Sequence, residues 1–565
     1  MSSEFDAIVV GSGITGGWAA KELCERGLKT IVIERGRYID HGGPEYTDFI
    51  PPWKSRGHGA IPERFAADNP RLARALFTLN PDNLNWFVKD DEQPYSTPEG
   101  RPYDWIRAYH LGGRSLHWGR VAHRMGDYHF RAQAKDGHGI AWPIDYADLA
   151  PWYDHVETFV GVAGSVERLA QLPDGKFQPA FELNCAEQAF KQRVETAFPG
   201  RRVISARTAN LTAPSEQQKA LGRSHCQVRN YCHKGCHFGA YFSSLSATLP
   251  AAKRTDNLTI VTDSIVQSVV YDPGKKRVTG VRVLDAHTGV GREYTGRLVF
   301  LCASTFPTTQ ILLLSTSAWF PHGLGNRSGA LGRYLMGPGR GFTGLATLPS
   351  YHDRYYYGRK PAFFAIPAYR NLTEPADGYV RTFGVMGFAF RTSWERGASA
   401  AGGGPQVKQT LRTPGPWKIC LASAGEMLPQ WRNRLTLHPT KTDRWGMPLI
   451  HIDLEYSANE HNMNEQAKRD IREMLEAAGC VEIQVGDFGL PGHAIAEAGT
   501  AVMGHDPATS VLNRWNQVHD VPNVFVTDGA CMSSNGDPDS PSLTFMALTA
   551  RAANHAADLL GAGKL

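Results

Sequence analysis

Cysteine is scarce in this sequence, with nine residues among 565, which is too few for disulfide bonds to hold a chain of this length together. No block of basic residues occurs, and 60 Lys and Arg against 55 Asp and Glu leave a net charge of +5, so we expect no nucleic-acid partner. No run of 18 apolar residues is present, which argues against insertion into a membrane. Internal repeats are also lacking. These absences leave a globular chain with room for about three domains.

The N-terminal segment is unlike a secretory signal peptide. Met1 to Asp6 carry no positive charge, and the apolar residues that follow run directly into glycines. We therefore expect a cytoplasmic protein, or a periplasmic one if it is exported together with a partner that carries the signal.

Glycine is the residue in excess, with 58 residues, about 10 % of the chain against roughly 7 % on average. Three of these glycines form the pattern Gly11-x-Gly13-x-x-Gly16, between a predicted strand and a predicted helix, and Glu34 ends the next predicted strand. Such a βαβ unit binds a dinucleotide: its glycines let the backbone approach the pyrophosphate, and the acidic residue accepts hydrogen bonds from the ribose. The pattern does not choose between NAD and FAD.

Periodicity and capping signals place further elements. An antiparallel meander is predicted from Ser264 to Leu284, followed by a buried strand from Leu298 to Cys302. A helix is predicted over 458–478, because Ser457 and Glu460 have the spacing of a capping box. The last helix has Ser540 as its expected N-cap, with Pro541 at its first position.

Two more segments bear on the cofactor: His110-Leu-Gly112-Gly113-Arg-Ser115-Leu-His117-Trp-Gly and Asn523-Val-Phe-Val-Thr-Asp528-Gly529. Together with the βαβ unit, they resemble the glucose–methanol–choline (GMC) oxidoreductases over essentially the whole chain. The resemblance implies bound FAD, with the helix that begins at Pro541 and Ser542 pointing at the flavin. It also implies cofactor contacts from Gly112, Gly113, Ser115, Val266, Asp528 and Gly529.

The expected fold class is α/β. We expect a discontinuous Rossmann-like FAD-binding domain in residues 1–140, 250–315 and 480–565. An α+β substrate-binding domain built on an antiparallel sheet is expected in residues 316–479. The interval 141–249 is expected to be an insertion that contains the clustered cysteines.

His117 precedes a tryptophan in a segment similar to that of the pyranose oxidases. The resemblance implies that this histidine is bonded covalently to the flavin. The alternative is a histidine that only packs against the edge of the flavin, and the sequence leaves both open.

Cys226, Cys232 and Cys236 lie within eleven residues, a clustering that suits soft metals or an iron–sulfur cluster. Their spacing resembles that of FAD-dependent sugar dehydrogenases, including glucoside 3-dehydrogenase, in which three such cysteines hold a 3Fe-4S cluster. A zinc site that recruits a neighbouring histidine and three ordinary thiols without metal are the alternatives.

The catalytic segments depart from the family pattern. Ala496 occupies the position of the usual catalytic histidine, and Ser540 stands where Asn or His is expected. Flavin-dependent alcohol oxidation needs a group that accepts the hydroxyl proton. The candidates to replace the missing base are His493 and Glu497, with His505 and Asp539 as further alternatives, and Ser540 is a minor candidate for a bond to substrate.

The segment from Glu426 to Asn433 offers polar groups for a substrate. Aromatic side chains with interspersed polar groups suit a sugar ring, which is apolar on its faces and polar at its edge. The best polar candidates are Gln430, Arg432 and Asn433.

The resemblance implies an FAD-dependent oxidoreductase that oxidises a ring hydroxyl of a sugar or glycoside, with a 3-keto product. The electrons would pass to the cluster or to a partner, of which a cytochrome-type acceptor and a small export subunit are the implied kinds. The alternative is a catalytically altered homologue that does not oxidise alcohols and serves as an electron-carrying flavoprotein subunit. The replacement of the histidine by Ala496 favours this alternative.

Overall fold

A computed structural model describes residues 4–51, 54–55, 63–74, 79, 81–338, 341–354, 361–373, 378–392, 404–412, 414–487, 489–536 and 541–565. The strands are β1 Phe5–Val10, β2 Thr30–Ile33, β3 Ile204–Ser205, β4 Leu258–Val261, β5 Ser264–Asp272, β6 Arg277–Asp285, β7 Gly291–Leu301, β8 Gly341–Leu348, β9 Phe364–Ile366, β10 Phe383–Arg391, β11 Trp417–Gly425, β12 Arg434–Thr442, β13 Pro448–Asp453, β14 Val481–Val485, β15 Gln517–Val518 and β16 Val521–Val526.

The α-helices are α1 Ile14–Glu25, α2 Glu63–Asp68, α3 Pro70–Ala73, α4 Asp127–Phe130, α5 Ala132–Asp136, α6 Tyr146–Val160, α7 Cys185–Ala197, α8 Glu216–Ala220, α9 Leu249–Lys253, α10 Thr305–Leu314, α11 Pro405–Arg412, α12 Ala458–Ala477 and α13 Ser542–Gly561. Of the helices in the described ranges, none is both long and apolar enough to cross a bilayer.

An eight-stranded sheet organises the first layer, in the order β15-β16-β7-β1-β2-β4. Strands β16, β7, β1, β2 and β4 run parallel, and β5 and β6 extend the long strand β7 as an antiparallel meander. The residues of β1 and β2 are almost all buried, as in parallel strands covered on both faces. The predicted βαβ unit and the predicted meander are both confirmed.

Helix α1 is hydrogen-bonded to the last helix of the chain, α13, through the buried carboxylate of Glu22. Glu22 accepts hydrogen bonds from Lys21 at 3.0 Å, from His155 in α6 at 2.8 Å and from Asn554 in α13 at 2.8 Å. The helix that opens the dinucleotide loop is therefore held by elements more than 130 and more than 500 residues away along the chain.

The second layer is a six-stranded sheet in the order β14-β8-β11-β10-β9-β3. Alternate residues of β10 point to opposite faces: Val385 and Ala389 join a core with Ile471 and Leu475 of α12, whereas Met386 and Phe388 line a cavity on the other side. Strands β14 and β3 lie outside residues 316–479, so this sheet recruits chain from both flanks of that interval.

Helix α12 begins where the capping signal predicts. Ser457 accepts the N–H of Asn459 at 3.3 Å, and Glu460 accepts the N–H of Ser457 at 2.7 Å. Helix α13 begins at Ser542, directly after Pro541. The predicted N-cap Ser540 lies outside the described residues.

Candidate active site

A cavity of about 750 Å³ separates the two sheets. One wall is formed where the parallel strands end, at Val10, Ile33 and Cys302, and the opposite wall by Met386 and Phe388 of β10. Ligands of open parallel sheets bind beyond the carboxyl ends of the strands, and the cavity occupies that position.

The three fingerprint glycines have separate steric roles. Gly11 has φ +92°, and a Cβ there would lie 2.6 Å from the carbonyl oxygen of Cys302. A Cβ at Gly16 would lie 1.8 Å from the carbonyl oxygen of Gly11, so only glycine lets α1 approach the loop. A Cβ at Gly13 would meet no atom within 4 Å, because Gly13 borders the cavity. The space beside Gly13 and the N-terminus of α1 suits a pyrophosphate.

Ser12, which the fingerprint does not single out, joins three parts of the site. Its Oγ donates to the Glu34 carboxylate at 2.6 Å and accepts the N–H of Gly112 at 2.8 Å. The other carboxylate oxygen of Glu34 accepts the N–H of Gly36 at 2.9 Å. Burial raises the pKa of Glu34, although these hydrogen bonds favour its ionised form. Ser12 therefore couples the acidic residue to the second glycine loop.

Most of the other predicted cofactor contacts also border the cavity: Gly113, Ser115, His117, Val266, Asp528, Gly529, Pro541 and Ser542. Gly112 packs behind them, since a Cβ there would lie 2.6 Å from Leu116 Cδ1. Burial raises the pKa of Asp528 to about 6, against the hydrogen bond that it accepts from Thr308 Oγ1 at 2.5 Å. These residues fit FAD, because the open space at Gly13 and the N-termini of α1 and α13 border one continuous cavity.

His117 borders the cavity and has one unpaired ring nitrogen. Its Nε2 lies 3.1 Å from Nε2 of His110, and its buried Nδ1 has no hydrogen-bond partner. Burial, together with the nearby His110 and Arg120, holds the pKa of His117 well below its usual value. The ring is therefore neutral.

The cysteine segment reaches the same cavity, since Cys232 and His233 contribute to its wall. Burial, followed by the charge of Cys232, raises the pKa of the Cys226 thiol to about 12. Among the residues described, no group of three or more His, Cys, Asp or Glu side chains is arranged to hold a metal ion. His237 is engaged elsewhere, with its Nδ1 2.5 Å from the carboxylate of Asp48. The described residues therefore show no ligand set for the expected 3Fe-4S or zinc site.

The catalytic candidates have different surroundings. Ala496 and Glu497 both border the cavity, but the Glu497 carboxylate lies 2.8 Å from the guanidinium of Arg114. His493 also borders the cavity, and its Nε2 lies 2.6 Å from the carboxylate of Asp104. His505 is exposed. The two remaining candidates, Ser540 and Asp539, lie outside the described residues.

The predicted substrate residues lie elsewhere. Gln430 lines a second, more open depression beside Tyr334 and Trp431. Asn433 is buried and exchanges hydrogen bonds with the backbone of Glu455 at 3.2 and 3.1 Å, and Arg432 pairs loosely with the same residue at 3.9 Å. Asn433 and Arg432 thus brace the start of hairpin β12–β13, and a substrate role for the three residues stays a prediction.

The cavity wall opposite the glycine loop is instead formed by Phe363, Met386, Phe388 and Ala422. The sequence signal for these residues is that neighbouring side chains of a strand alternate between two faces. Phe363 faces the cavity, while its neighbour Phe364 is buried in the core on the opposite face. Sequence reasoning that treats the aromatic residues as one group misses this division.

Comparison with protein families gives two matches to models described as GMC oxidoreductase. The N-terminal model matches residues 6–327, and the C-terminal model matches residues 429–549.

Several curated proteins are similar over nearly their full length. The fructose dehydrogenase large subunit of Gluconobacter japonicus is 25 % identical, with 97 % of this chain and 97 % of that protein covered. The gluconate 2-dehydrogenase flavoprotein of Pantoea cypripedii is 26 % identical, with 96 % and 92 % covered. The paromamine 6'-oxidase of Streptomyces fradiae is 26 % identical, with 97 % and 90 % covered.

A solved structure shares the fold. The crystal structure of pyridoxine 4-oxidase from Mesorbium loti superposes with a TM-score of 0.57 at 16 % identity, and covers 97 % of this chain and 98 % of that chain.

Proposed function

This chain belongs to the GMC oxidoreductase family, and from that membership we propose that it is an FAD-dependent enzyme that oxidises a ring hydroxyl of a sugar or glycoside. The observation that carries the proposal is the continuous cavity that runs from the dinucleotide loop to the wall formed by β10. The names of the similar proteins support the substrate class, because they act on fructose, gluconate and paromamine.

The residues of this chain bind and orient the reactants. FAD bound here would supply the acceptor for the two electrons that leave the alcohol as hydride. The N-terminus of α1 and the open space at Gly13 would hold the pyrophosphate, and Glu34 would bind the ribose. The N-terminus of α13, at Pro541 and Ser542, faces the cavity and would favour negative charge there.

The finer details of the reaction are part of the proposal. We place the oxidised carbon at position 3 of the ring, and the electrons pass on to a partner of the cytochrome type. A small partner subunit would carry the chain out of the cytoplasm. Co-purification with the products of neighbouring genes tests both partners.

The tether between flavin and protein is also proposed, at His117. Its support is that His117 borders the cavity and that its Nδ1 has no hydrogen-bond partner. An imidazole nitrogen with a free lone pair is the kind of atom that can form such a bond.

A metal centre at Cys226, Cys232 and Cys236 has weaker support. These cysteines approach the cavity through Cys232, but the described residues do not form a ligand set. Iron and zinc analysis of the purified protein tests the point: about three iron atoms per chain would restore the cluster to the proposal.

The central experiment is anaerobic reduction. Purified holoenzyme is mixed with a panel of aldoses, ketoses and glycosides under nitrogen, and the flavin absorption is followed. We expect the flavin band near 450 nm to bleach with at least one sugar, whereas simple primary alcohols leave it unchanged. A flavin that stays oxidised with every sugar contradicts the proposal.

A second candidate function, an electron-carrying flavoprotein without alcohol oxidation, is favoured by one observation. The buried position 496, which borders the cavity, carries only the methyl group of alanine. If Ala496→His creates sugar oxidation in a protein that otherwise shows none, this second function is the correct one.

A further inference from the structure

The loop before Ala496 brings an imidazole and a carboxylate together at the cavity. Nε2 of His493 lies 2.6 Å from Oδ2 of Asp104, although the two residues are 389 positions apart in the chain. The side chain of Asp104 is fully buried, and that of His493 is 12 % exposed and borders the cavity. A buried acid behind a histidine at a cavity is the arrangement that orients a general base.

A third residue fixes the carboxylate. Arg74 donates from Nε to Oδ2 of Asp104 at 2.7 Å and from Nη2 to Oδ1 at 2.5 Å. Such a two-point contact leaves the carboxylate little freedom to rotate. Burial alone would raise the pKa of Asp104, but the hydrogen bonds from Arg74 and His493 bring it below its usual value, so the group is ionised at neutral pH.

The backbone holds the histidine loop in place. The N–H of Asp104 donates to the carbonyl of Pro491 at 3.0 Å, and the N–H of Gly492 donates to Gly337 at 3.1 Å. Gly492 has φ +94°, and a Cβ there would lie 2.3 Å from the carbonyl oxygen of Asp104. Only glycine permits this close crossing, which sets His493 beside its partner.

The contact decides which nitrogen carries the proton. An ionised carboxylate only accepts hydrogen bonds, so Nε2 of His493 must be the protonated nitrogen. In the neutral ring, the lone pair then resides on Nδ1. The carboxylate of the alternative base Glu497 is already engaged in an ion pair with Arg114.

We propose that His493, oriented by Asp104 and Arg74, accepts the hydroxyl proton of the substrate in place of the histidine that is missing at position 496. The inference rests on the proposed function. Nδ1 of His493 would accept the O–H proton, and bound FAD would supply the acceptor for the hydride that leaves the carbinol carbon. The alcohol would thereby become a carbonyl compound, both electrons of its C–H bond would go to FAD, and His493 would release the proton to solvent. His493 is the catalytic residue, whereas Asp104 and Arg74 are positioning residues.

The charged and titratable groups around the loop set the expected pH response. They are Asp104 with Arg74 behind the ring, Glu497 with Arg114 across the cavity, Asp487 with Lys468 at the preceding strand end, and Tyr103 beneath Gly492. Glu497 and Asp487 are each paired with a cation, and the flavin reduction rate should rise with pH, because a general base must be unprotonated to accept the hydroxyl proton.

The first test is the reduction rate in anaerobic stopped-flow experiments. We expect His493→Gln to slow flavin reduction by about 10²–10⁴-fold and to remove the rise of the rate with pH. In Asp104→Asn the amide can donate to Nε2 and force the proton onto Nδ1, which should slow reduction by up to about 10⁴-fold at constant flavin content. The matched control His505→Gln, at an exposed histidine of the same segment, should keep the rate of the unaltered enzyme.

The outcomes distinguish failure of the proposed sugar oxidation from failure of the proposed role of His493. If no sugar bleaches the unaltered enzyme, the proposed function fails. If a sugar bleaches it and His493→Gln is reduced at the same rate with the same pH profile, only the inference about His493 fails. Added imidazole should partly restore reduction in His493→Ala, which a purely structural loss would not allow.

A second readout is independent of turnover. In the ¹⁵N-histidine-labelled holoenzyme at pH 8, the ¹⁵N shifts should show His493 as the tautomer protonated at Nε2, and Asp104→Asn should change it to the Nδ1-protonated form. A His493 protonated at Nδ1 in the unaltered protein overturns the inference.

Discussion

The Nε2 atoms of His110 and His117 lie 3.1 Å apart, and the carbonyl of Leu111 determines which of the two carries a proton. Nδ1 of His110 lies 2.9 Å from that carbonyl and must donate to it, so Nε2 of His110 is the acceptor. Nε2 of His117 is then the donor, and the lone pair of His117 is on Nδ1, the atom without a hydrogen-bond partner. The hydrogen-bond chain thus leaves one specific nitrogen of His117 with a free lone pair.

The first prediction concerns attachment of the flavin through that nitrogen. After acid precipitation we expect yellow colour to stay with the protein, and mass spectrometry of a digest should show the added mass on the peptide that contains His117. His117→Ala should release all flavin into the supernatant, and NMR of the modified peptide should show substitution at Nδ1. Complete release of flavin from the unaltered protein would refute the tether.

The second prediction separates the roles of two glycines. Gly13→Ala should fold normally, because its methyl group meets no protein atom within 4 Å, but the methyl would occupy cofactor space and weaken FAD binding by about tenfold or more. Gly16→Ala should destabilise the fold, since its Cβ would lie 1.8 Å from the carbonyl oxygen of Gly11. Flavin titration and thermal melting measure the two effects.

The control for these variants is Gly486→Ala, at an exposed glycine whose added Cβ would also meet no atom within 4 Å. It should retain both FAD affinity and melting temperature. Equal FAD affinity of Gly13→Ala and the unaltered protein would show that the cofactor does not pass this loop.

The third prediction concerns acid stability through Glu22. Burial opposes its ionisation, but hydrogen bonds from His155 and Asn554 and the charge of Lys21 lower its pKa from 4.5 to about 2. The folded state therefore binds this proton less readily than the unfolded state, and the stabilisation is complete above pH 4.5 and is lost as pH falls toward 2. At 1.36 kcal/mol per pKa unit it amounts to about 3 kcal/mol.

We accordingly expect Glu22→Gln to lower the free energy of unfolding by about 3 kcal/mol at pH 7, and the difference from the unaltered protein to shrink below pH 4.5. Urea denaturation followed by fluorescence at a series of pH values measures the difference. Glu25→Gln is the control, because Glu25 is 41 % exposed and should change little. A difference that does not depend on pH would argue against this role for Glu22.

The fourth prediction assigns Glu497 a structural role. Its carboxylate pairs with Arg114, which also donates to Ser304 Oγ at 2.7 Å. Glu497→Gln should lower the free energy of unfolding by about 1–3 kcal/mol, because the Arg114 charge loses its partner. The pH profile of flavin reduction should keep its position. If the flavin reduction rate of this variant no longer rises with pH, Glu497 is instead the proton acceptor.

Local signals predicted much of the fold. The βαβ unit and helix α12 depend on turns, caps and periodicity within some 30 residues, and the structure has both. No local signal indicates that β14 pairs with β8, because register between distant strands depends on the packed sheet.

The candidate site also contains residues with a local sequence signal and residues without one. Gly11, Gly13 and Gly16 carry such a signal, because the glycines of a pyrophosphate-binding loop lie close together in the sequence. Asp104 and Arg74 carry no local signal, because their contact with His493 forms only when the chain folds and brings the His493 loop beside Asp104. Gln430 shows that a polar residue in a segment suited to a sugar can lie at a different depression, because a local pattern does not say which cavity a side chain borders.

Strand β16 lies beside β7 in the parallel sheet, and Asp528, Gly529 and the start of α13 complete the cofactor cradle. On the ribosome, the dinucleotide loop is made more than 500 residues before these parts. At about 5–20 residues per second, the loop exists for roughly half a minute to two minutes before Asp528, Gly529 and the start of α13 are synthesised. The complete cofactor cradle therefore forms only after the last of these residues has been made.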